Sequence, residues 1–191
     1  MRMVLLVIIG ALAACRSTVG PYSTPSEVSR DTTAAEKLSR EAADLIDSDP
    51  SKAEAILREA LTKDLFYGPA HNNLGVVFLK QDKLYEAANE FEWARKLLPD
   101  SPDPRVNLGI AMERAGRTDD AFLAYESALE VAPECVAAMQ GASRISVASA
   151  PGDERLGRWL DKVALRGESV AWRDWAQVQA RSYPLSRHAT R

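Results

Sequence analysis

The chain has 191 residues, with 24 Lys+Arg against 27 Asp+Glu, a formal charge of −3, 46% hydrophobic and 27% charged residues. That balance belongs to an ordinary globular chain and excludes collagen-like, low-complexity and polytopic membrane classes. The slight acidic excess argues against a dedicated nucleic-acid binder, and two cysteines cannot build a disulfide framework.

Arg2 precedes an uncharged apolar run from Met3 to Ala14, 12 residues long. A helix that crosses a bilayer needs about 20 apolar residues, so this run has the length of a signal-peptide core instead. Its end, Leu12-Ala13-Ala14-Cys15, resembles the bacterial lipobox. The resemblance implies that residues 1–14 are a lipoprotein signal peptide, with a diacylglycerol thioether on Cys15 and an acyl group on its new amino terminus. No other cofactor is implied. Several acyl chains on one cysteine exceed the two-signal requirement for stable anchoring. Arg16 follows, not the aspartate of inner-membrane retention, so the expected location is the bacterial cell envelope, on the outer membrane facing the periplasm. A plain secretory leader or a short uncleaved anchor is the alternative. Cleavage would leave Cys135 as the one thiol.

After Cys15, residues 16–33 hold eight Ser/Thr with Gly20, Pro21 and Pro25 and no apolar period. Such a stretch cannot bury enough surface to offset ordering entropy. Residues 15–33 therefore read as a flexible tether, spanning roughly 25 Å as a coil.

From Ala34 the pattern is helical, and a shift of 34 superposes the chain on itself. Asn73 falls on Asn107, Leu74 on Leu108, Gly75 on Gly109, Ala87 on Ala121, Phe91 on Tyr125, Ala94 on Ala128 and Pro99 on Pro133. Glycine inside a helix costs about 1 kcal/mol against alanine, so Gly75 and Gly109 imply close approach of a second helix. Ala87, Ala94, Ala121 and Ala128 keep that helix thin, Phe91 and Tyr125 fill the space farther along, and Pro99 and Pro133 stop it. Gly116 makes the turn inside its unit. A 34-residue period with these residues resembles the tetratricopeptide repeat (TPR), a helix–turn–helix unit. Residues 68–101 and 102–135 are two such repeats. Residues 34–67 form a divergent first repeat: Ala53, Leu57 and Ala60 keep register, but Glu41 falls at the glycine position, where Ala42 or Ala43 could serve. Asp49-Pro50 supplies a cap and first-turn proline.

Beyond Pro133 the signature decays. Residues 136–182 read as a degenerate fourth helix pair, broken at Pro151-Gly152, plus a capping helix over Ser169–Arg181. Residues 183–191 read as a disordered tail. The expected fold class is all-α, a TPR solenoid of about three repeats with carboxyl-terminal capping helices.

Enzyme chemistry finds no support. The two histidines, His71 and His188, offer no paired metal motif, and neither a nucleophile elbow nor a phosphate loop occurs. His71 and Cys135 read as packed side chains. On the first helices, Asn72, Val76 and Leu79 form a line matched by Val106, Ile110 and Arg114 in the next repeat. The TPR resemblance implies that these positions, with Lys80 as a cation, line a peptide groove. The same residues could instead pack neighbouring first helices together. Capture of a partner's terminal carboxylate is unsupported, since Pro69, Asp103 and Val106 stand where clamp residues would be.

Residues 151–191 carry eight Lys/Arg against five Asp/Glu, so an acidic solenoid ends in a slightly basic region. Trp172 and Trp175 would cover its open end or anchor a partner. The function implied is a non-enzymatic, lipid-anchored adaptor for a protein or peptide of an envelope complex, with no nucleic-acid partner and an undetermined oligomeric state. The alternative is a factor resembling pilotin-like lipoproteins of pilus, secretion or outer-membrane assembly machines, using Trp172 and Trp175. An accessory subunit of a cell-wall enzyme would differ only in its partner.

Overall fold

The structure, a computed structural model, describes residues 30–183. Cys15, the leader, most of the tether and the tail with His188 lie outside them. Among the described residues there are nine helices and no strand: α1 (Thr32–Ala43), α2 (Pro50–Lys63), α3 (Gly68–Lys80), α4 (Leu84–Leu97), α5 (Asp103–Arg114), α6 (Thr118–Val131), α7 (Val136–Ser149), α8 (Leu156–Arg166) and α9 (Val170–Ala180). None is long and apolar enough to cross a membrane.

Local chemistry sets the boundaries. The Asp49 carboxylate accepts from the Lys52 amide at the start of α2, as an N-cap does. Proline occupies the first turn of α2, α3 and α5, where its missing N–H leaves nothing unpaired. The turns inside the second and third units need a left-handed residue, supplied by Asp82 (φ 61) and Gly116 (φ 74). Pro99 and Pro133 follow the ends of α4 and α6 and are exposed, so they punctuate and do not pack.

Consecutive helices pack as antiparallel neighbours, and the first helices α1, α3, α5 and α7 also touch in sequence. This is the stacking that a 34-residue helix pair requires. The first unit is displaced toward the amino terminus: α1 begins at Thr32 and not at Ala34, capped by Asp31. Ala42 faces inward fully buried, while Glu41 and Ala43 are exposed. Asp64 closes this unit. Fully buried, it accepts from Arg30 Nε at 3.0 Å, Thr32 Oγ1 at 2.7 Å and the Phe66 amide at 3.0 Å. Burial pushes its carboxyl up, but the Thr32, Arg30 and Phe66 bonds outweigh that and hold it below the usual carboxylate range.

Two hydrophobic cores run along the stack. One gathers Leu57, Leu74, Val77, Phe78 and Phe91 from α2 to α4, with smaller contributions from α1, α5 and α6. The other gathers Tyr125, Met139, Leu156, Trp159 and Leu160 from α6 to α8 and is covered by α9. Ala87, Ala94, Ala121 and Ala128 are all fully buried. What lies nearest Gly75 and Gly109, however, is an aromatic ring and not an alanine. A Cβ on Gly75 would stand 2.5 Å from the Phe91 ring, and one on Gly109 would stand 2.5 Å from Tyr125. Each glycine is the recess into which the aromatic of the second helix drops.

Candidate functional site

The face built by the first helices holds a cavity of 420 Å³, lined from α3 (Asn72), α5 (Val106, Asn107, Ile110), α7 (Ala137, Gln140, Arg144) and the start of α9 (Trp172). Its apolar floor is Val106, nearly buried, with the half-buried Ile110. Asn107 Nδ2 donates to Asn72 Oδ1 at 3.0 Å, joining α5 to α3 across the floor. One seam earlier, Asn73 Nδ2 donates to Ser39 Oγ at 3.2 Å. Asparagines that recur in the sequence thus bridge neighbouring units.

At the carboxyl-terminal wall, Tyr125 reaches up from α6. Its ring sits between Gly109 and Gly141, and its hydroxyl donates to Glu113 Oε2 at 2.7 Å. Arg144 donates to the same oxygen. Burial, then the bond to Glu113, pushes the Tyr125 phenol far above its ordinary range, with Arg144 opposing only in part. The Arg144 guanidinium lies 5.9 Å from the centre of the Trp172 ring, within cation–π reach. Trp175 meets Trp172 edge-on at 5.4 Å. Gln140 Oε1 accepts from the Glu168 amide at 3.0 Å, fixing the loop that starts α9 against α7.

Of the expected groove residues, the structure brings Asn72, Val106 and Ile110 together in this cavity. Val76 and Leu79 pack on the first core instead. The two expected cations are engaged: Lys80 Nζ lies 2.6 Å from Asp47, and Arg114 donates to the Leu79 carbonyl at 2.6 Å and to Asp82 at 2.7 Å. They lace neighbouring units together. Gln140, Gly141 and Arg144 were not expected here, although a signal existed. Asn72, Val106 and Gln140 follow one another at 34 residues, as do Val76, Ile110 and Arg144.

His71 is packed: nearly buried, it pairs Nδ1 with Glu90 at 2.6 Å and Nε2 with the Leu65 carbonyl at 2.8 Å, and stacks on Trp93 at 5.7 Å. Cys135 is only half-buried at the cavity edge, because it stands in the link before α7 and not inside a helix. Trp172 does two things at once, covering the second core and walling the cavity. Among the described residues, no group of three or more His, Cys, Asp or Glu is placed to hold a metal ion.

No protein-family model matches the chain, and no curated protein does. Solved structures do. The first TPR of Spaghetti (RPAP3), bound to the HSP90 peptide SRMEEVD, is 18% identical with a TM-score of 0.61, over 64% of this chain and 98% of that one. YrrB, a TPR protein with an unusual peptide-binding site, is 19% identical with a TM-score of 0.62, over 81% and 79%. A tetratricopeptide repeat protein from Parabacteroides merdae is 21% identical with a TM-score of 0.61, over 79% and 61%. At such identities the likeness establishes the fold, a TPR solenoid.

Proposed function

We propose that this TPR solenoid is a non-enzymatic adaptor that holds a peptide segment of a protein partner in the cavity walled by α3, α5, α7 and α9. The observation that carries the reading is the cavity itself: 420 Å³, with an apolar floor at Ile110, amides at Asn72 and Asn107, and an aromatic wall at Trp172. Apolar surface with a few fixed polar groups is the usual make-up of a ligand site. The one peptide complex and the peptide-binding site named for structures of this fold support the same assignment. The partner belongs to the bacterial cell envelope, with the adaptor held there by lipid on Cys15, because the leader ends Leu12-Ala13-Ala14-Cys15.

A photo-crosslinking side chain at Asn72 should yield partner adducts in cells, while one at Leu123, exposed on α6, should not. Filling the cavity by Ala137→Trp should abolish the Asn72 adducts while circular dichroism stays helical. Adducts that survive the filled cavity refute the site. A tagged fatty acid should label the chain and fail to label Cys15→Ala; an unlabelled wild type refutes the anchor.

An end-on bracing role is favoured by one observation, the exposure of Val170 and Val178 on α9. Double substitution of these valines by glutamate would abolish such assembly and leave cavity binding intact, as light scattering and the Asn72 crosslink would read.

A further inference from the structure

We infer that the cavity selects a basic, partly apolar peptide, an inference that rests on the cavity being the binding site. The charges on this face are unevenly committed. Lys80 is held by Asp47, Arg114 by Asp82 and Arg144 by Glu113. Asp103 and Glu168 also line the cavity and are exposed. Among the described residues, neither carboxylate has a side-chain hydrogen bond or ion-pair partner. Asp103 stands in the first turn of α5.

An acidic peptide would therefore meet two unneutralised carboxylates. The cation at this wall, Arg144, is already balanced by Glu113, which also receives the Tyr125 hydroxyl, so it adds little net attraction for an acid. A basic peptide meets the opposite balance. Its Lys or Arg reaches Asp103 or Glu168 as they stand, its apolar side chains lie on Ile110 and Trp172, and its stems cover further apolar surface. Two exposed pairs amount to a preference of about tenfold at moderate salt, fading as salt rises.

The test is selection of a random twelve-residue peptide display library on the full chain in mild detergent. A recovered peptide is then synthesised and its affinity measured by fluorescence anisotropy. Recovered peptides should carry Lys or Arg among apolar residues. The double variant Asp103→Asn, Glu168→Gln should bind the synthetic peptide about tenfold more weakly, while Ala137→Trp should not bind it at all. Neutral or acidic peptides, or an affinity unmoved by the double variant, overturn the basic preference while loss of binding in Ala137→Trp leaves the cavity standing. Peptides that bind Ala137→Trp as tightly as wild type, or no enrichment over that variant, overturn the cavity and this inference with it.

Discussion

Phe91 and Tyr125 stand at the same place in consecutive units, and both are buried to 1% exposure or less. The joints around them differ. Phe91 lies against Gly75 in an apolar setting that includes the partly buried Leu79. Tyr125 is held between Gly109 and Gly141 and passes its hydroxyl to Glu113, which stands 34 residues after Leu79. One position of the repeat therefore serves two purposes. In the second unit it closes the first core, and in the third it carries the second core up to a polar wall of the cavity.

The most damaging way to break the comparison is to empty the joints. Phe91→Ala should cost about 3–5 kcal/mol, read as a drop in the urea midpoint, with Tyr125→Ala in the same range. Adding a methyl group discriminates more finely. Gly75→Ala and Gly109→Ala should each destabilise by about 1–3 kcal/mol, and Gly109→Ala should be the worse, because Gly141 blocks the ring's retreat. Equal losses would mean that the second glycine contact is idle.

Exchanging the aromatics is gentler. Tyr125→Phe should cost about 1–2 kcal/mol by removing a hydrogen bond to a charged acceptor. Phe91→Tyr should not be neutral either, since Leu79 offers its hydroxyl no acceptor. A neutral Phe91→Tyr would show that the two joints are interchangeable. The smallest effect is one of pH. The phenol of Tyr125 is raised on folding, so its contribution is whole below the unfolded tyrosine value of about 10 and is lost as pH climbs above it. Tyr67 is raised as well, by burial and Glu36. The decline in stability above pH 10 should therefore become shallower, not vanish, in Tyr125→Phe.

The helix pairs, their turns and their seams were legible because a 34-residue period fixes which faces meet. What the period leaves open is which side chain at a given level meets a glycine. Alanine was the expected nearest neighbour of Gly75 and Gly109, and the aromatic ring lies nearer. The cations were misjudged for a related reason. Lys80 and Arg114 are committed to Asp47 and Asp82, acids of preceding turns that helical spacing does not bring alongside them. The fourth unit hid its share of the cavity because its interior lost the signature: Ser143 and Ser146 stand where Gly109 and Met112 stand one unit earlier. Its surface register did not decay, which is how Gln140 and Arg144 reach the site. The lipid anchor rests on residues outside those the structure describes.

The paired recess around Tyr125 also decides how such a molecule could be lengthened. A tandem copy of 68–101 would follow Phe91 with an asparagine, the residue that already follows it as Asn107. A tandem copy of 102–135 would set asparagine, not Gly141, against Tyr125, and its Cβ would enter the space the ring occupies. Growth by duplication is thus open at one unit and barred at the next.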